Sequence, residues 1–143
     1  MASNQSPAEW FVDSSFWYTF ANRRDSNQSW ANAVLASHLG RIVTTAYVLA
    51  ETTSLLTKRI GKATAIQFLQ VTHDENACRL ICPDPDQLQR AETLFAEYAD
   101  WDFDLVDAVS FVVMRDQGID HALTFDHHFE QMGSIVEPPT GSR

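Results

Sequence analysis

The sequence predicts an α/β fold, a three-layer α/β/α sandwich around a mainly parallel sheet of about five strands. Short apolar runs alternate with longer segments of helical periodicity along the 143 residues, and this alternation is typical of parallel strands joined by helices. The composition, 45% hydrophobic and 11% aromatic, is sufficient for one substantial core. We therefore expect a single domain over residues 1–143, with flexible ends at 1–8 and 138–143.

The five predicted strands are short runs of apolar and β-branched residues that end at polar or turn-forming positions. In chain order they cover 10–13, 41–45, 77–83, 121–125 and 134–137. The third run contains Cys78 and Cys82, which a strand would hold about 13 Å apart, too far for a disulfide. Their spacing matches no zinc motif, so we expect two buried, reduced thiols.

The predicted helices are bounded by residues that cap helix ends. They cover 14–24, 27–39, 46–60, 62–72, 85–98, 105–117 and 127–132. Thr45 can cap the third of these helices, and Asp84 with Gln87 forms a capping-box pattern at the start of the fifth. Glycines follow several of the segments, as is usual at helix C-termini.

The most apolar stretch of the chain is DFDLVDAVSFVVM, residues 102–114. Its valines have strand propensity, but its length, the cap at Asp104 and the following Gly118 favour a helix. Asp107 lies inside this stretch, where an ionised carboxylate without a partner costs several kcal/mol. We therefore expect Asp107 either to be neutralised or to hold a cation.

The net charge of −9 argues against simple electrostatic binding of nucleic acid. It is compatible with a cation site, with a basic partner, or with a nucleic-acid enzyme whose metals supply local positive charge. No apolar run approaches the about 20 residues of a membrane helix, and the first residues, MASNQSPAEW, lack a signal pattern. We expect a soluble, cytoplasmic protein without a membrane partner.

Four carboxylates are predicted to converge. Asp13 ends the first strand and Asp126 ends the fourth, and sites in open α/β sheets form beyond strand ends where the strand order reverses. Glu51 shares a helix face with hydrophobic residues, where a carboxylate is out of place unless it has a function. Together with Asp107, these acids suit a hard divalent cation with oxygen ligands, Mg²⁺ or Mn²⁺.

Each acid also has a purely structural explanation. Asp13 and Asp126 could cap the helices that follow them, and Asp107 could pair with Asp104 in a capping interaction. Glu51 could bond to a lysine or an arginine. A shared cation site explains all four acids at once, so we favour it.

The segments FVDSS (11–15), VLAET (48–52), DLVDAVSFVVMRDQGI (104–119) and ALTFDHHFEQMG (122–133) occur in an order that resembles the PIN-domain family. The resemblance is strongest to bacterial VapC-like toxins and extends from about residue 10 to residue 133. The last two segments are the most specific: Asp-Ala opens an apolar helix, and Leu-Thr-x-Asp-x-x-Phe follows.

The resemblance implies a PIN-like fold and a metal-dependent endoribonuclease that binds one or two Mg²⁺ or Mn²⁺ ions. It further implies a toxin that is paired with a protein antitoxin and forms a homodimer. The residues that match the family's catalytic and metal-binding acids are Asp13, Glu51, Asp107 and Asp126.

The resemblance also implies roles for residues around these acids. Ser15 matches a small polar position that lines the site, and Thr124 lies nearby, although it could be an ordinary strand residue. Asp104 stands where relatives commonly carry serine or threonine, so it is either a cap or a fifth metal-binding acid. His127 and His128 occupy positions that are often basic, which leaves two interpretations, exposed helix-start residues or phosphate contacts.

Five further basic residues are candidates for a rim that steers RNA to the site, with solvated helix ends as the alternative for each. They are Arg23, Arg24, Lys58, Arg59 and Lys62.

Other protein classes with strand-end acids fit less well. A haloacid-dehalogenase phosphatase needs a second aspartate two residues after Asp13, where this chain has Ser15. A response-regulator receiver needs a lysine at a late strand end, and HALTFD offers none. A metal-dependent adhesion module needs a hydroxyl at residue 17, which is Trp17. The alternative that stays open is a PIN fold kept as an RNA- or protein-binding scaffold with little or no nuclease activity.

Overall fold

Five short parallel strands form the sheet at the centre of the protein. The structure, a computed structural model, describes residues 7–139, and the strands are β1 (Trp10–Val12), β2 (Ile42–Thr45), β3 (Cys78–Ile81), β4 (His121–Leu123) and β5 (Ile135–Glu137). They lie in the order β3-β2-β1-β4-β5. The chain therefore builds the sheet outward from β1 in both directions, and the strand order reverses between β1 and β4.

Seven helices connect and flank the strands, which confirms the predicted α/β/α architecture. They are α1 (Ser14–Ala21), α2 (Gln28–Ser37), α3 (Ala46–Arg59), α4 (Lys62–Thr72), α5 (Pro85–Glu97), α6 (Leu105–Gln117) and α7 (His127–Gln131). The expectation of flexible ends at 1–8 and 138–143 lies mostly outside the described residues, which exclude 1–6 and 140–143.

Capping residues set most of the helix starts as the sequence predicts. The Thr45 hydroxyl accepts a hydrogen bond from the backbone of Val48, and Asp84 and Gln87 bond reciprocally in a capping box. Helix α1 is shorter than expected. It ends at Ala21 because the Asn22 side chain accepts from the backbone N–H of Arg24 and turns the chain.

Helix α6 is the most buried element of the fold. Its seven residues 108–114 are all buried, which explains why this segment is almost continuously apolar and settles its ambiguity in favour of a helix. The Phe111 ring packs edge-on against Phe129 of α7, with centroids 4.9 Å apart. The core therefore fixes α6 firmly, and the N-terminus of α6 presents Asp107 at the edge of that core.

The prediction of two buried thiols is half right. Cys78 is buried in β3, and burial raises the pKa of its thiol to about 12. Cys82 is exposed because β3 ends at Ile81, one residue earlier, and the chain leaves the sheet there. Both cysteines are free, as expected.

Between residues 7 and 139, no helix combines the length and apolar character that crossing a membrane requires.

Gln87 provides a test of how α5 is attached to α6. Its side chain is 8% exposed; it accepts from the Asp84 backbone and donates to Asp116 Oδ2 at 3.1 Å. We expect Gln87→Ala to lower the free energy of unfolding by about 1 kcal/mol, because it removes one half of the capping box and the hydrogen bond to Asp116. Urea denaturation measures this change. The exposed Gln89→Ala on the same helix is the control and should stay within about 0.5 kcal/mol; equal effects would contradict the assignment.

Candidate metal centre

Asp13 lies directly after β1 and is 3% exposed. Its Oδ1 atom accepts hydrogen bonds from the Ser15 hydroxyl at 2.7 Å and from the backbone N–H of Phe16 at 3.3 Å. Asp13 therefore caps α1, which is the structural role that the sequence allowed for it, and its carboxylate lies at the end of the strand. Capping holds the side chain in one orientation and does not occupy both oxygens.

Asp126 lies beyond the end of β4, which pairs directly with β1. Its Oδ1 accepts from the backbone N–H of His128 at 2.9 Å and caps α7. Its own backbone N–H donates to the Thr124 hydroxyl at 2.8 Å. Ser15 Oγ accepts from the Phe125 backbone at 2.9 Å and lies 3.4 Å from Thr124 Oγ1. Ser15 and Thr124 thus connect the ends of β1 and β4 beside Asp13 and Asp126.

Asp107 and Asp104 form a reciprocal capping box at the start of α6. Asp104 Oδ1 accepts from the Asp107 backbone at 2.9 Å, and Asp107 Oδ2 accepts from the Asp104 backbone at 3.1 Å. The structural explanation for this pair is correct, but each bond uses one oxygen of its carboxylate. Capping and cation binding are therefore compatible at Asp107.

Glu51 lies on α3 and is half-buried. The Ser14 hydroxyl donates to Glu51 Oε1 and connects α3 to the start of α1. Of the described residues, no lysine or arginine forms an ion pair with Glu51, so the expected structural alternative for this residue is wrong. Its actual partner is a serine from the helix that Asp13 caps.

The four predicted acids are electrostatic neighbours. Burial is the main cause that raises the pKa of Glu51, and the charges of Asp104 and Asp126 raise it further. Burial also raises the pKa of Asp13 to about 7, with a further contribution from Asp126. For Asp107, burial and then the charges of Asp104, Asp126 and Asp13 raise the pKa to about 8. The fold therefore concentrates carboxylates whose ionised forms lack a compensating charge.

The acids fit a divalent cation in their chemistry, and Asp107 and Asp126 also fit it in their placement. Carboxylate oxygens are the ligands of hard divalent ions, and a bound cation would stabilise the ionised forms that burial disfavours. One ligand atom each from Asp107, Asp126 and His128 lie within 4.8 Å of one another. The site therefore offers a nitrogen atom beside its oxygens.

The interpretation of His127 and His128 as two exposed helix-start residues is wrong for His128. His127 is exposed, but His128 is 7% exposed and packs edge-on against Phe103 at 5.9 Å. Its Nε2 atom lies 2.5 Å from Oδ1 of Asp102, an exposed residue that sequence reasoning did not single out. The signal was local: His128 is the second helical residue after a capping aspartate and precedes the fully buried Phe129.

Three of the five predicted rim residues share one cleft. Arg23, Arg24 and Arg59 line a cavity of about 390 Å³ between the C-terminal ends of α1 and α3, and the Arg59 guanidinium lies 5.5 Å from the centroid of the Tyr18 ring. Lys58 and Lys62 do not line this cavity. Arg59 is eight residues after Glu51, so about 12 Å of helix separates the cleft from the acids.

Comparison with known proteins gives consistent matches. A family model described as the PIN domain matches residues 10–135. In two strains of Mycobacterium tuberculosis, the protein named 23S rRNA-specific endonuclease VapC20 is 32% identical over 134 residues, which cover 90% of this chain and 98% of that protein.

Solved structures match over similar lengths. The crystal structure of Mycobacterium tuberculosis VapC20, described as a Sarcin-Ricin loop cleaving toxin, has a TM-score of 0.82 at 30% identity and covers 89% of this chain and 97% of its own. The DNA-bound VapBC complex from Salmonella typhimurium has a TM-score of 0.69 at 10% identity, covering 92% of this chain and 98% of its own, and supports the fold alone.

The raised pKa of Asp107 predicts a pH-dependent stability of the metal-free protein. Between about pH 4 and pH 8 the unfolded chain has lost the Asp107 proton while the folded state retains it, so this group's contribution to stability falls as the pH rises through that window. Asp107→Asn keeps the cap and removes the ionisation. Its stability relative to the parent should be unchanged below about pH 4 and higher by roughly 1–2 kcal/mol at pH 8.

Urea denaturation in EDTA at several pH values measures this difference. The control is Glu92→Gln, which removes an exposed carboxylate on a different helix, α5. Its stability relative to the parent should not change with pH in this window. Added Mn²⁺ should stabilise the parent more than Asp107→Asn by mass action. A parent–variant difference that does not change with pH would show that Asp107 serves as a cap without an ionisation cost.

Proposed function

The chain belongs to the PIN-domain family, and we propose that it is a metal-dependent endoribonuclease acting as the toxin of a toxin–antitoxin pair. The observation that carries the proposal is the group of acids at the switch point of the sheet, where burial and mutual repulsion raise the pKa of Asp13, Glu51 and Asp107. The similarity to an endonuclease over nearly its whole length supports the same activity.

In this proposal the cofactor is Mg²⁺ or Mn²⁺, one or two ions, held by Asp13, Glu51, Asp107 and Asp126. Oxygen ligands suit both ions. When bound in such sites, these ions activate water and neutralise charge on the attacked phosphate. Asp104 contributes negative charge at the same place and is a candidate fifth ligand.

The neighbouring side chains keep the carboxylates in place. Ser15 donates to Asp13, and Ser14 donates to Glu51, so the first turn of α1 orients two of the acids. Asp104 N–H donates to Asp107 Oδ2 and fixes the third. Because three of the four proposed ligands, Asp13, Asp107 and Asp126, stand at capped helix starts beside the sheet, the site is preorganised for a phosphodiester rather than assembled around it.

The substrate in this proposal is RNA, and the cleft lined by Arg23, Arg24 and Arg59 binds its phosphates. His127 is exposed beside the acids and is a further candidate phosphate contact. Because the relative VapC20 is named as specific for 23S rRNA, ribosomal RNA is the first substrate to test. A cleft of three arginines allows an acidic protein to attract RNA locally.

We extend the proposal to the protein's partners and setting. A protein antitoxin would keep the toxin inactive, as the VapBC complexes among the structural relatives suggest by their composition. We further propose that the chain acts as a single domain over residues 1–143, forms a homodimer and works in the cytoplasm. Co-expression with the product of an adjacent gene, followed by purification of the complex, tests the antitoxin.

Loss of one carboxylate should lower the cleavage rate far more than the affinity for RNA. We expect Asp13→Asn and Asp107→Asn each to reduce the cleavage rate of ribosomal RNA by about 100-fold or more, because charge at the reacting phosphate is no longer compensated. RNA affinity should be unchanged or higher, since each substitution removes a negative charge near phosphates. Gel assays of cleavage and filter binding of the same RNA measure the two effects.

The controls separate a nuclease from a binding scaffold. EDTA should abolish cleavage by the parent and Mn²⁺ should restore it, while Glu92→Gln should cleave at the parent's rate. A parent that binds RNA but never cleaves it with any divalent ion would identify a scaffold. Cleavage by Asp13→Asn at the parent's rate would place the activity at another site or in a contaminant.

The arginine cleft predicts the salt dependence of RNA binding. Replacing Arg23, Arg24 or Arg59 with glutamine should weaken binding of single-stranded RNA and reduce the slope of log K against log salt by about 0.7 for each phosphate that the variant no longer neutralises. Fluorescence anisotropy at several salt concentrations measures the slope. Arg79 is an exposed residue of β3 that pairs with Glu9. The control Arg79→Gln should therefore leave the slope unchanged. Equal slopes for all four variants would exclude the cleft as the RNA path.

A further inference from the structure

His128 occupies a position that its surroundings define closely. It is 7% exposed, its backbone N–H donates to Asp126 Oδ1 at 2.9 Å, and its ring lies against Phe103 and His127 with centroids 5.9 Å and 4.2 Å away. Backbone and ring are therefore both fixed relative to the Asp126 carboxylate. Such a fixed polar ring in a buried place needs partners for both of its nitrogen atoms.

Only one of the two ring nitrogens has a hydrogen-bond partner. Nε2 lies 2.5 Å from Asp102 Oδ1, and this hydrogen bond is the main cause that lowers the pKa of Asp102. An ionised carboxylate accepts only, so Nε2 carries the proton and donates it. Nδ1 is buried and makes no hydrogen bond, although it lies 2.7 Å from Asp126 Oδ1, because the geometry is wrong for donation.

The surroundings of Nδ1 consist of atoms that bind cations. In the tautomer that donates from Nε2, the lone pair of imidazole is on Nδ1. Oxygen atoms of Asp107 and Asp126 lie within 4.8 Å of it and of each other. Along residues 7–139, no lysine or arginine pairs with either aspartate. Three lone-pair-bearing atoms this close to one another form an arrangement that a divalent cation bound between them would satisfy.

The contact on the other side of the ring has the form expected of a metal ligand. Histidines that bind metals usually donate their second N–H to a carboxylate, which fixes the tautomer and the orientation of the ring. Asp102 accepts such a bond from Nε2 of His128, and it does so from the loop before α6. The Nε2 side of the ring therefore sets its orientation, and Nδ1 is left to face the acids.

We propose that His128 Nδ1 is a nitrogen ligand of the divalent cation, alongside Asp107 and Asp126, and that Asp102 is the residue that positions its ring. The inference rests on the proposed metal-dependent function and adds a ligand of a different chemical type. Mg²⁺ prefers oxygen ligands, whereas imidazole suits transition-metal ions such as Zn²⁺, and Mn²⁺ lies between the two groups. The site therefore selects a transition-metal ion over Mg²⁺ more strongly than four carboxylates would.

Mn²⁺ added to the metal-free full-length protein provides the direct test. The signal of free Mn²⁺ in solution measures binding, and pulsed electron paramagnetic resonance detects a nitrogen atom bound to the ion. We expect a ¹⁴N signal in the parent that changes to ¹⁵N when the histidines are ¹⁵N-labelled. His128→Gln should lose the nitrogen signal, while the neighbouring His127→Gln should retain it.

Affinity gives a second measurement that does not depend on activity. Asp102→Asn should weaken Mn²⁺ binding by about 10-fold, since the ring loses the carboxylate that orients it. His128→Gln should reduce the preference for Mn²⁺ over Mg²⁺ by a similar factor. If His128→Gln does not fold, the labelled parent and His127→Gln still decide, because His127 is exposed and a nitrogen signal that survives its replacement points to His128.

The outcomes distinguish this inference from the proposed function. Bound Mn²⁺ without a nitrogen signal, or a signal that persists in His128→Gln or disappears in His127→Gln, would overturn the role of His128 and leave the carboxylate site standing. A parent that binds no Mn²⁺ would overturn both. A nitrogen signal that disappears only with the replacement of His128 would establish the ligand.

Discussion

Uncompensated negative charge at the ends of β1 and β4 is the constraint on which the rest of the structure depends. Asp13 and Asp126 follow adjacent parallel strands, and helices α3 and α6 bring Glu51 and Asp107 toward them. Burial raises the pKa of Asp13 and Asp107 to about 7 and about 8. Apolar or neutral groups at these positions would cost the fold less, so the presence of carboxylates points to a use for the charge.

The fold reduces the cost of this charge with backbone amides. Asp13, Asp104 and Asp126 are N-caps of α1, α6 and α7, and each accepts a backbone hydrogen bond. Helix N-termini favour negative charge by about 0.3–1 kcal/mol each. Capping therefore serves two purposes: it starts the helices and it holds the carboxylates at fixed positions. The structural and functional explanations of these acids, which look like alternatives in the sequence, describe the same interactions.

Sequence patterns predicted the parallel sheet, the order of the elements and the places of Asp13 and Asp126 beyond the ends of two strands, because strand ends, caps and apolar runs are local features. They could not predict contacts that depend on the path of the chain. His128 packs against Phe103 and bonds to Asp102, both from the loop before α6, and its local position before Phe129 does not indicate those two contacts. Cys82 is exposed because β3 stops one residue before it. Element boundaries of one or two residues decide such cases.

The separation of charges shows how a chain with a net charge of −9 would carry out the proposed cleavage of RNA. The acids cluster at the N-terminal ends of α1, α6 and α7, whereas Arg23 and Arg24 follow the C-terminal end of α1 and Arg59 ends α3. About 12 Å of helix separates the two groups, more than a Debye length at physiological salt. Phosphates bound in the arginine cleft would therefore be largely screened from the acids. The remaining repulsion would act on a phosphate at the acids themselves, where a cation would reverse it. Net charge, averaged over the chain, conceals this arrangement.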